Sequence, residues 1–235
     1  GGSITGILMG GSNSTTQLMT VRNNLIDPIS TTTGTVIGIS TSAPLISIYK
    51  NKIYDLTSSN STGAVNGMLI SGGTSVDVYN NFIGNLYTPI TNSSTDFLRG
   101  INITSSTTLS NINLSYNTIY INSTSSGAVF SSTGVFHTTS ATATTGQLTM
   151  RNNIIVNLST PNGGGFTVAY RRSSSTLTNY NSASNNNLLY AGTASANNLL
   201  YYDITNSAQT IAAYKALVSP RDALSISSNP NFMST

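Results

Sequence analysis

The chain has 235 residues with a formal net charge of +3, and only 6 % of them are charged, which leaves nine basic side chains as a field too thin for a nucleic-acid partner. Apolar residues at 38 % exclude intrinsic disorder, and no apolar run approaches the ~18 residues of a membrane helix, so no membrane insertion is expected. The absence of cysteine excludes disulfides, thiolate zinc sites and a thiol nucleophile.

Ser, Thr and Asn supply 101 residues and Gly another 20. These side chains are β-branched, compete for backbone hydrogen bonds or loosen the backbone, and all disfavour helix interiors. An all-β chain follows.

The amino end, Gly1 to Gly11, carries Ile4, Ile7, Leu8 and Met9 without a positive leader region, and does not read as a signal peptide. From there one phrase recurs in chain order: a β-patterned lead, an Asn, then apolar residues. Its copies are Val21–Ile26, Ile48–Tyr54, Val78–Ile83, Leu114–Tyr120, Met150–Ile155 and Asn185–Leu189, anchored on Asn23, Asn51, Asn80, Asn117, Asn152 and Asn186. Between them lie second β-like segments, Thr35–Ile39, Gly67–Ile70, Arg99–Ile103, Gly134–His137 and Phe166–Tyr170, flanked by Gly, Ser or Asn. The leads alternate, as in Ile46 and Ile48 or Leu148 and Met150, which places apolar side chains on one face.

A loosely held period of this kind is the signature of a solenoid. The spacing predicts a right-handed parallel β-helix in which each repeat is one coil, about 4.8 Å above the last, and a core closed only by stacking. The anchor Asn suits both tasks of a coil corner. It tolerates left-handed backbone, and its amide can bond the equivalent Asn one coil away. The segments Ser58–Gly63, Thr91–Asp96, Ser123–Thr133 and Thr138–Gly146 are expected as protruding loops.

At the carboxyl end, apolar residues at 211, 214, 217 and 218 predict a short helix, stopped by Ser219-Pro220. Residues 1–235 are thus expected to form one β-helix domain, a module of a longer polypeptide. Residues 209–235 are expected to be its irregular cap, with Asn229–Phe232 shielding the end of the rod.

Several stretches carry a family likeness. Arg151–Ile155, Gly165–Arg172, Asn185–Thr193, Ala213–Lys215 and Asn229–Phe232 together resemble the right-handed β-helix regions of large secreted Bacteroidetes surface proteins. Those regions are related in fold to pectate lyases and are often exported by type IX secretion. The resemblance implies an extracellular or cell-surface location and is carried mainly by residues 148–235.

Catalytic signals are sparse. The six aspartates, Asp27, Asp55, Asp77, Asp96, Asp203 and Asp222, are scattered, whereas a lyase or hydrolase of this fold needs converging carboxylates. Asp27 and Asp55 each follow an anchor by four residues and form the best pair to stack on neighbouring coils; two turn aspartates is the plainer reading. His137 is the lone histidine, expected opposite Phe136 as an exposed or hydrogen-bonded sheet residue. No Gly-x-Ser-x-Gly elbow is present, and Gly163–Gly165 precedes a strand, which is wrong for a phosphate cradle. An ice-binding face is disfavoured because Thr31–Thr33, Thr107-Thr108 and Thr142–Thr145 are expected in loops. Contact candidates are Tyr49, Tyr79 and Tyr116, as an aromatic ladder, and Tyr170 with Arg171 and Arg172 as a basic, stacking spot.

The expected function is therefore a non-enzymatic extracellular structural or adhesive module: a stalk, adhesin or self-assembling fibre. It would need no cofactor and would partner with itself, neighbouring modules or glycans. Carbohydrate binding or polysaccharide cleavage is the alternative.

Overall fold

The computed structural model describes residues 2–10 and 16–232; Gly1 and Gly11 of the amino-terminal segment lie outside them. Its first sheet stacks Ile4–Met9, Val36–Thr41, Val65–Ile70, Leu98–Ile103, Ser132–His137, Thr167–Arg172 and Asn198–Tyr202, all parallel. The antiparallel strand Ser207–Ala208 ends it. A second parallel sheet holds Met19–Arg22, Leu45–Tyr49, Ser75–Tyr79, Asn111–Ser115 and Gln147–Arg151. A third holds Leu25–Ile26, Lys52–Ile53, Phe82–Gly84, Thr118–Ile121, Ile154–Asn157 and Leu188–Tyr190. The first three coils add a short fourth sheet, Ile29–Thr31, Leu56–Ser58 and Leu86–Tyr87. The protein is an all-β parallel solenoid of about six turns with one short C-terminal helix.

The reason lies in the columns that the register creates. In the second sheet Ile46 and Ile48, Val76 and Val78, Ile112 and Leu114, and Leu148 and Met150 are buried at successive levels. The first sheet departs from strict alternation. Five of its six-residue strands carry a glycine inside, at Gly6, Gly38, Gly67, Gly100 and Gly134. A Cβ on Gly100 would stand 2.5 Å from Ile119 Cγ2 and 2.6 Å from Gly134 O. The column therefore lets the first sheet close onto the isoleucine column of the third, Ile53, Ile83, Ile119 and Ile155.

Two other expectations are corrected. The loops do not simply protrude: Ser59 N–H donates to Thr31 O, Asn92 N–H to Ser61 O and Ser126 N–H to Pro89 O, at 2.8, 3.2 and 2.8 Å, continuing the interstrand ladder around the coil. Thr133, read as a loop end, lies inside strand Ser132–His137.

The C-terminal helix spans Ile211–Val218, with the Thr210 side chain accepting from Ala213 N–H at its start and Tyr214 and Val218 turned into the core. It packs on Asn198–Tyr202 and Ser207–Ala208, the last rungs of the first sheet. Asn229–Phe232 does not shield the rod's end. It returns along the flank, where Phe232 meets Tyr120 edge-on with centroids 5.3 Å apart, two coils before the end.

Candidate functional site: the corner ladder, the buried terminus and the outer faces

Each coil turns from the second sheet into the third through two consecutive residues with separate tasks. The first takes positive φ: Asn23, Lys50, Asn80, Tyr116, Asn152 and Asn186, all between 54° and 60°. The second carries the stacked amide: Asn24, Asn51, Asn81, Asn117, Asn153 and Asn187. The side-chain Nδ2 of each donates to the Oδ1 of the next at 2.9 to 3.1 Å. The backbone N–H of the same Asn donates to that oxygen as well. Asn51, Asn81, Asn117, Asn153 and Asn187 also send Nδ2 to a carbonyl of a preceding strand.

Four of the sequence-assigned anchors thus need correction. Asn23, Asn80, Asn152 and Asn186 are the left-handed corners, while their neighbours form the ladder; Asn51 and Asn117 are ladder members. In Asn-Asn pairs the two tasks cannot be told apart from sequence, because Asn suits both. The signal that separates them is present at Lys50-Asn51 and Tyr116-Asn117, where a residue that cannot stack an amide occupies the corner.

The ladder ends on a carboxylate. Asn187 Nδ2 donates to Asp222 Oδ1 at 2.9 Å, and Ser225 Oγ donates to the same oxygen at 2.6 Å. Asp222 Oδ2 accepts from the hydroxyls of Tyr180 and Tyr214, both at 2.5 Å. Every amide in the stack points its N–H side toward this end, so the aligned dipoles present positive charge where the buried anion sits, as at a helix N-terminus. Asp222 itself has φ 54°, a conformation Asp tolerates better than most residues.

A second polar cluster fills the interior beside it. His137 and Arg172 occupy the same inward position on adjacent coils and are fully buried. His137 Nε2 donates to Gly146 O at 2.9 Å, so Nδ1 is free to accept from Arg172 Nη1 at 2.6 Å. Burial first, and then the Arg172 charge, push the imidazole pKa down to about 3, and the ring is neutral. Arg172 also donates to Tyr170 Oη, Thr176 O and Asn179 Oδ1. Its guanidinium stands 5.5 Å from the Tyr180 ring centre, and the Tyr180 hydroxyl in turn reaches Asp222. The buried cation and anion are bridged by one tyrosine. Tyr170, Tyr180, Tyr201 and Tyr214 pack here in a run of tilted contacts 5.2 to 5.8 Å apart. Burial raises the pKa of all four, Tyr170 to about 12.

This placement corrects two contact candidates. Tyr170 and Arg172 face inward and touch no solvent, while His137 is a hydrogen-bonded sheet residue, as expected, on the interior side. Arg171 points outward between them. Its Nη1 bonds Asp96 at 3.0 Å, Arg99 chelates the same carboxylate, and the two guanidinium groups lie over Tyr202 and Phe136. The stacking partner of the basic spot is therefore Tyr202. On this outward face Asn102 Oδ1, Thr133 Oγ1 and Arg171 Nε are buried without a protein partner.

The tyrosine ladder has two rungs. Tyr49 and Tyr79 are in register and stack with centroids 4.7 Å apart and planes 6° from parallel, but the next rung is Ser115. Tyr116 sits one residue further on, at the exposed corner. Asp27 and Asp55 do not stack on each other. With Ile26 paired to Ile53 and Ile29 to Leu56, Asp27 falls beside Tyr54, whose hydroxyl it binds, and Asp55 falls beside Pro28. That bond, with desolvation and the charges of Asp27 and Asp55, raises the Tyr54 pKa.

Among the described residues no three His, Cys, Asp or Glu side chains gather as a metal site, and no helix is long and apolar enough to cross a membrane. No family model, curated protein or solved structure matches the chain.

Proposed function

We propose that the chain is a non-enzymatic solenoid module of an extracellular or cell-surface protein, acting as a stalk, adhesin or assembling fibre. The observation that supports this most is where its deep ionisable groups are spent. Asp96 clamps two arginines that stand two levels apart, Asp203 accepts from Tyr201 and Asn206, Asp222 terminates the ladder, and His137 and Arg172 tie coil to coil. Each is held by structural partners in the interior or under other side chains, where a substrate has no approach. The location follows the likeness to secreted β-helix regions, and the mechanism is repeated geometry.

Cleavage is the competing reading, through Asp27, Asp55 or Arg171. Incubation with pectate, alginate and chondroitin sulfate, followed by assay of unsaturated and reducing ends, tests it. No new ends are expected. Cleavage that disappears in D27N, D55N or R171Q would overturn the module reading. Electron microscopy and sedimentation over a range of concentrations then separate a fibre, seen as filaments, from a stalk or adhesin, seen as isolated rods.

A further inference from the structure

We propose that the outer face of the third sheet in the second and third coils is a binding trough for acidic saccharides, pyranose units bearing carboxylate or sulfate. The inference rests on the adhesive form of the function proposed above.

The trough follows from backbone geometry. In these two coils side-chain-bearing residues take positive-φ corners at both ends of the third-sheet strand: Lys50 and Asp55 at 55° and 54°, Asn80 and Asn85 at 54° and 48°. Two sharp corners around a strand of two or three residues turn the outward surface into a channel with walls. It encloses about 540 Å³, within the ~300–1,000 Å³ typical of ligand sites. The Phe82 ring lies over Gly84, with its edge 3.1 Å from where a Cβ at that position would stand.

The lining is chemically sorted. Lys50 and Lys52 are exposed and neither forms an ion pair among the described residues. The side chains of Asn80 and Asn85 line the channel and are not engaged in the ladder. Phe82 and Tyr54 supply ring faces, with Lys52 Nζ 4.7 Å above the Tyr54 ring centre. Cationic amines meet an anionic substituent, aromatic faces meet the C–H face of a pyranose, and carboxamides meet its hydroxyls. At the Tyr54 end Asp27 provides an acceptor for sugar hydroxyls and disfavours a second anion there. That gradient fits one anionic group per ring pair, set at the lysine end. It fits a nucleic acid poorly, since a phosphodiester chain needs charge at every unit and the lysine pair has an aspartate at its far end.

The backbone suggests a clean variant. Lys50 occupies a corner that is Asn in four other coils, so Lys50→Asn removes the charge and keeps a residue suited to positive φ. The probes are a galacturonate tetrasaccharide, a chondroitin sulfate tetrasaccharide and cellotetraose, titrated calorimetrically against the whole chain. Binding of at least one acidic probe is expected, weakening as salt is raised, with no heat from cellotetraose. K50N/K52Q should weaken it at least tenfold and F82A several-fold, with melting temperature held in the lysine variant, and R151Q should leave it unchanged. Absence of binding to both acidic probes overturns the proposal, as does binding that persists in K50N/K52Q. In the latter case the adhesive reading survives and only the trough is lost. Isolated rods that bind none of the probes leave the stalk reading intact while removing this site, and a cleaved probe removes the non-enzymatic reading instead.

Discussion

Asn187 and Asp222 are 35 positions apart in sequence and 2.9 Å apart in space, and their hydrogen bond is where a six-membered stack of asparagine amides meets its only anion. The same carboxylate holds two tyrosine hydroxyls and a serine, so it joins the ladder to the C-terminal helix through Tyr214.

Replacing Asp222 with Ala leaves three buried side chains and the ladder's positive end without an acceptor. We expect a loss of roughly 3–5 kcal/mol in unfolding free energy. Asp222→Asn keeps one acceptor oxygen and tolerance of positive φ, and should lose less. Denaturant melts compare the two. Equal losses would contradict the role assigned to the acceptor.

The division of labour at the corners makes neighbouring asparagines unequal. Asn81→Ala removes a buried amide that accepts from Asn51 and donates to Asn117 and two carbonyls, and should cost about 2–4 kcal/mol. Asn80→Ala, at the exposed left-handed corner, should cost about 1 kcal/mol, and Asn80→Gly close to nothing. A reversed order in thermal or urea melts would place the ladder on the wrong residue.

The glycine column gives a steric prediction. Gly100→Ala forces a methyl against Ile119 and the Gly134 carbonyl and should destabilise by about 1–3 kcal/mol. Pairing it with Ile119→Val, which removes a methyl from that side chain, should recover part of the loss. The column's next member, Ala169, already carries a methyl, so Ala169→Gly should not stabilise.

The pH response has a worked sign at both ends. His137 binds its proton more weakly when folded, with a pKa near 3 against 6.5. The unfolded chain therefore takes up more protons between those values. Stability is full above pH 6.5 and declines as pH falls toward 3, by at most about 1.4 kcal/mol per unit. His137→Gln should flatten that slope between pH 6.5 and 4.5. The buried tyrosines act oppositely. Their raised pKa values, with Tyr170 at about 12, mean that stability is present below pH 10 and is lost as pH rises past it. Ultraviolet titration should show delayed ionisation that coincides with unfolding.

Much of this architecture is legible in the primary structure, for a physical reason. A solenoid repeats one local solution, so the alternation at Ile46 and Ile48 or Leu148 and Met150 and the recurring Asn write the coil into the chain at every level. Helix-poor composition, parallel stacking and the amphipathic stretch at 211–218 need no knowledge of distant contacts. What the tertiary structure decided are the matters of register and of ends. Whether Asn80 or Asn81 stacks depends on a one-residue offset between coils, invisible where both are Asn. That Arg172 points in and Arg171 out depends on the phase of side-chain alternation at the end of their strand, which the register of the stacked coils sets. The use of Asp222 as terminus depends on the helix folding back to bring it beneath Asn187, and the trough at Lys50 and Lys52 exists only because two corners flank one short strand. These relationships join residues far apart along the chain, and only the closed stack brings them within bonding distance.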